Sequence, residues 1–157
     1  MLLSIFQWMG DSALAKLILS AAWYSPILQG IHLLSLATFA GSIVIVDLRL
    51  IGAGVKSRTA REIEREALPW LKGAFFMLFI SGVPQLFSLA MKEYYSPYFW
   101  YKMTGIVIGF TFMFTLRRRI VNAGDDANPI AAKAVGLFSM ALWTSVAVNA
   151  RLIGLLG

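Results

Sequence analysis

Apolar residues in this chain come in long runs, separated by short polar or aromatic stretches. Four of these runs, at about 26–54, 70–91, 99–116 and 130–156, reach the roughly 17–25 residues that cross a bilayer as a helix. Inside hydrocarbon the backbone must bond to itself, which leaves helices or a closed barrel. Runs this long and continuous select helices, and they predict an all-α integral membrane four-helix bundle. Residues 1–24 differ. Asp11 and Lys16 interrupt them, and Trp8, Trp23 and Tyr24 flank them. Burying those two charges mid-bilayer would cost about 2.5–3.5 kcal/mol each, so the pattern predicts an N-terminal interfacial helix rather than a fifth span.

Ser25-Pro26 suits the first turn of the first span. At about 100° per residue, Leu36, Phe39, Ile43, Val46 and Leu50 share the face of His32. Gly30, Ala37 and Gly41 form an opposite stripe suited to close helix packing. Thr59-Ala60-Arg61-Glu62 reads as a capping box opening a short solvated helix that ends at Pro69. The second span carries Ser81-Gly82-Val83-Pro84-Gln85, where a proline kink is expected. An aromatic-dense connection over 92–102 matches an interfacial belt. The third span stops at Arg117-Arg118-Arg119 and contains Gly105 and Gly109 in a GxxxG pattern on the face of Lys102. Turn chemistry over 122–129 leads into the fourth span, which carries Trp143, Asn149 and Arg151. No linker divides the chain, so a single membrane domain over 1–157 is expected.

Composition agrees with the pattern. The 157 residues are 59% hydrophobic and 14% charged, with mean hydropathy +0.72, against about 25% charged in soluble domains. The lipid bilayer is therefore the first expected partner. Net charge +6 could suggest nucleic acid, but the basic residues sit in loops where topology explains them, and no recognition motif accompanies them. Lys56, Arg58, Arg61 and Arg65 follow the first span and Arg117, Arg118 and Arg119 the third; the other side has chiefly Lys16, Lys92, Lys102 and Arg151. That bias places both loops in the cytoplasm and both termini at the periplasm or exterior. The first residues lack a basic n-region and a small-residue cleavage site, so no removable signal peptide is read there.

The chain has one histidine and no cysteine. Thiolate sites, iron–sulfur clusters and covalent haem attachment are excluded, and zinc catalysis is disfavoured. A Ser-His-Asp site would need an acid near His32, and Asp47 lies roughly 22 Å along the same helix. There is no P-loop and no dinucleotide fingerprint, so the chain does not read as an ordinary enzyme. Four antiparallel spans would set His32, Gln85, Glu93, Lys102, Asn149 and Arg151 at similar depth. Asp47 and Arg49, at the other end, read as a structural ion pair. The sharpest expectation makes His32 the axial ligand to the iron of b-type haem. Lys102 and Arg151 would then meet the propionates, and Gly105 and Gly109 would let a flat ring approach the backbone. One histidine leaves the sixth ligand open, to be filled by Met91, by Met103, or by His32 of a second subunit. The function expected on this basis is a haem-binding electron-transfer module. Alternatives are a non-catalytic accessory or scaffold subunit of a membrane complex, with homo-oligomerisation expected, or a small transporter using the Pro84 kink.

Several stretches carry a resemblance. Trp23-Tyr24-Ser25-Pro26, His32-Leu33-Leu34, Gly41 and Asp47-Leu48-Arg49-Leu50-Ile51-Gly52 resemble the opening of a family of small bacterial integral membrane proteins without an assigned function. Tyr95 to Met103, and Trp143 through Arg151 to Gly154, are similar to its later motifs. The resemblance implies a four-span bundle in the bacterial inner membrane and points at His32, Asp47, Arg49, Lys102 and Arg151. Asn149-Ala150 replaces the family's usual small pair, and Thr115-Leu116 with the arginines stands where some relatives have a second histidine.

Overall fold

The computed structural model describes residues 1–55, 57–124 and 127–156. Lys56 of the basic loop, and Asp125 and Asp126 of the turn before the fourth span, lie outside the described residues. The elements are α1 (Leu2–Asp11), α2 (Ala13–Ser20), α3 (Tyr24–Leu50), α4 (Ala60–Ser88), α5 (Ala90–Tyr95), α6 (Pro97–Phe112), a π-turn (Met113–Arg117), α7 (Arg118–Ala123) and α8 (Pro129–Leu156). Among the described residues there is no strand. Tyr24–Leu50, Ala60–Ser88, Pro97–Ala123 and Pro129–Leu156 are long and apolar enough to cross a membrane. The chain is a multi-pass all-α membrane protein with additional N-terminal helices.

Local chemistry explains most boundaries. α3 ends in a Schellman motif: Ala53 N–H donates to the Leu48 carbonyl at 2.8 Å and Gly52 N–H to the Arg49 carbonyl at 3.0 Å. Gly52 takes φ +86° there, a region costly for residues with a Cβ. The capping box is present, with Glu62 N–H on Thr59 Oγ1 and Thr59 N–H on Glu62 Oε2. Asn128 Oδ1 accepts Ala131 N–H at 3.0 Å and caps α8 just before Pro129.

Three boundaries depart from the sequence reading. The N-terminal segment is two helices bent by 48°. Ser12 makes the break, its hydroxyl donating to the Met9 carbonyl and accepting from Ala15 N–H. Pro69 does not end a helix; α4 runs through both Pro69 and Pro84. Each proline removes one backbone bond, whereas a break in apolar surroundings would orphan several. The third span continues past Arg117 to Ala123 through the π-turn. Thr111 and Thr115 hydroxyls bond back to the Val107 and Thr111 carbonyls ahead of it, a pattern that disturbs the regular ladder.

Helix α3 packs between α4 and α8, and α6 packs on α8. Phe39, Phe75, Phe110 and Trp143 join all four spans at mid-height, with ring centroids 5.1–6.5 Å apart. Toward one end lies a core of Val46, Leu50, Ile63, Val121 and Val135. At the other, Phe6 and Met9 of α1 pack on Ala90, Phe99 and Ile153. Gly30 and Gly41 do not serve packing within the chain. A Cβ on either would meet nothing within 4 Å, so the small-residue stripe faces outward.

Candidate functional site

Two polar groups sit within the bundle, one toward each end. At the first, His32 of α3 faces Ser81 of α4, with Nδ1 3.0 Å from Ser81 Oγ. Ser81 is fully buried, and its hydroxyl donates to the Met77 carbonyl at 2.7 Å. With that proton used on the carbonyl, the Ser81 oxygen can accept from the His32 ring, and the Leu78 carbonyl lies within hydrogen-bonding reach of the same ring. Gly82 is what lets the ring lie close: a Cβ there would stand 3.1 Å from His32 Cε1. Gln85 Nε2 donates to the carbonyls of Leu28 and Ser81 and ties the start of α3 to α4.

Lys102 of α6 lies within electrostatic reach of both His32 and Glu93 of α5. Burial pushes the Glu93 carboxyl above its ordinary value, against the pull of Lys102 and Lys92. Glu93 Oε2 and Ser96 Oγ are buried without a hydrogen-bond partner. Lys102 is thus the charge common to His32 and Glu93.

The remaining expected ligand residues lie elsewhere. Gly105 and Gly109 are close-packing positions for α8, not a bed for a flat ring: a Cβ would stand 2.8 Å from Val146 Cγ2 and 3.0 Å from Trp143 Cζ2. Arg151 is exposed and lines a groove of about 340 Å³ between α3 and α8 with Ala40, Val44, Trp143 and Thr144. Asn149 bonds back to the Ser145 carbonyl of its own helix.

The second polar group is built around Arg117, which the sequence does not separate from its two neighbours. Arg117 is 2% exposed and Asp47 0%. Arg117 Nε donates to Asp47 Oδ1 at 2.9 Å, and Nη1 to Glu64 Oε1 at 2.8 Å. The pairing expected between Asp47 and Arg49 is therefore replaced by Asp47 with Arg117, while Arg49 Nε donates to the Arg58 carbonyl at 2.6 Å. The π-turn ends on Arg117 and fits one more residue into its turn than an α-helix would. That offset points Arg117 into the bundle and leaves Arg118 and Arg119 outside. Asp47 Oδ2 and Ser139 Oγ are both buried, and Ser139 of α8 stands next to the Asp47 carboxylate as its nearest hydroxyl donor. α8 reaches this site through Gly136, where a Cβ would stand 2.9 Å from the Asp47 carbonyl oxygen. Among the described residues no three histidine, cysteine or acidic side chains gather as metal ligands.

A sequence profile described as a family of unknown function, DUF6644, matches residues 5–156. The chain belongs to that family, in agreement with the resemblance seen in its motifs. No curated protein and no solved structure matches it.

Proposed function

We propose that this member of the family is a non-catalytic helical module of a membrane assembly, whose polar residues within the bilayer hold helices together. The observation that carries this reading is the Arg117 group, in which one buried guanidinium links Asp47 of α3 to Glu64 of α4. Intramembrane charges are functional candidates by default, and here these three are engaged with one another. His32–Ser81 and Gln85–Leu28 add two further ties between α3 and α4. Purification in mild detergent tests this. The expected result is a colourless protein that co-migrates with other membrane polypeptides or with copies of itself.

The haem reading stands second, and one observation favours it: the Ser81 contact engages His32 through Nδ1, so Nε2 is the ring nitrogen a haem iron would take, with Ser81 as the outer partner of a metal-bound histidine. A haem there would supply a one-electron redox centre. The fit is incomplete, because Trp143 and Val146 fill the Gly105–Gly109 face and Arg151 lies in another groove. Haem held by this chain would have to lie off that face, between copies or at the bundle surface. An absorption spectrum separates the two readings. A Soret band with reducible α and β bands, lost in His32→Ala while the helical signal is kept, would establish the second reading and overturn the first.

A further inference from the structure

The π-turn that brings Arg117 inward leaves two arginines facing out, and these line a shallow groove on the outer side of the third span. It is an open depression of about 680 Å³ along one stretch of the third span, lined by Phe114, Thr115, Leu116, Arg118, Arg119 and Asn122. Phe114 and Leu116 are exposed apolar residues on the membrane-core side. Arg118, Arg119 and Asn122, one turn further on, are exposed and polar. Arg58 and Arg117 have acidic partners, but neither Arg118 nor Arg119 has a hydrogen-bond or ion-pair partner among the described residues.

We propose that this groove binds the headgroup of an anionic phospholipid. The phosphate diester would lie against Arg118, Arg119 and Asn122, and an acyl chain along Phe114 and Leu116. Guanidinium groups present paired donors that match phosphate oxygens. The order of the lining, apolar then basic along the helix axis, repeats that of a lipid, chain then phosphate. Basic pockets at the ends of transmembrane helices recognise anionic headgroups in this way. A soluble phosphate ester would satisfy the arginines but leave the apolar wall without a partner, and this distinguishes the lipid from a free anion.

Native mass spectrometry of the detergent-purified protein, titrated with phosphatidylglycerol or phosphatidylcholine of the same acyl composition, tests the assignment. The wild type is expected to retain phosphatidylglycerol preferentially. Arg118→Gln/Arg119→Gln should weaken that retention by about thirtyfold, and each single variant by about fivefold. The single variants decide the matter if the double variant does not fold. Arg61→Gln/Arg65→Gln removes the same charge from exposed positions on α4 and should leave the preference intact. Equal retention of the two lipids by the wild type would overturn the proposal. So would equal losses in both double variants, or displacement of the lipid by an equal concentration of glycerol 3-phosphate.

Discussion

At the scale of single residues, Arg117 is the side chain whose loss should matter most to the fold. Removing it leaves Asp47 and Glu64 facing each other without a counter-charge, and breaking a buried pair in this way costs about 3–5 kcal/mol. Arg117→Gln is expected to lower the unfolding midpoint in detergent strongly. Arg117→Gln combined with Asp47→Asn should recover part of the loss, and a double-mutant cycle on thermal unfolding measures that coupling. Glu93 makes a different prediction. Its folded-state pKa is raised by burial above 4.5, so the folded protein binds more protons than the unfolded chain just above that pH. Stability should therefore fall as pH rises from about 4.5 through the raised value. Glu93→Gln should flatten that part of the profile, which unfolding midpoints measured across the window would report. A slope unchanged in the variant would remove Glu93 as its source.

Elements meet here at positions where a side chain would be in the way, and the glycines grade the consequences. Gly136 approaches backbone, the Asp47 carbonyl, which cannot turn aside. Gly136→Ala should therefore separate α8 from α3 at a cost of about 1–3 kcal/mol. Gly41→Ala, with nothing within reach of the new methyl, should raise the unfolding midpoint of the isolated protein slightly, by the roughly 0.5–1 kcal/mol that alanine gains over glycine in a helix interior. Loss of stability in both, by the same assay, would show that the two α3 faces are not distinguished as described. The same comparison shows what periodicity could and could not reveal. Gly105 and Gly109 were legible as helix-packing glycines, and α8 is what they pack against. The Gly30–Gly41 stripe carries the same pattern yet meets no partner helix among the described residues, since a small-residue face looks alike whether its neighbour is this protein, another copy or lipid.

For the whole molecule, the four spans and the capping box at Thr59 were readable from the sequence. Each rests on local pattern or on length. What was not readable depends on register. Three arginines in a row are equivalent until one extra residue in a turn selects Arg117, so Asp47 was matched to its near neighbour Arg49. Pro69 looked like a stop because the strength of the helix on both sides of it comes from its surroundings.

The Asp47–Arg117 pair also has a history within each copy of the protein. Seventy residues separate the two partners, and at about 5–20 residues per second the ribosome releases the carboxylate roughly 4–14 s before the guanidinium. Through that interval α3 and α4 can already meet through His32–Ser81 and Gln85–Leu28, while Asp47 waits for Arg117. The order of synthesis therefore makes the buried ion pair a late contact, completed only by the third span.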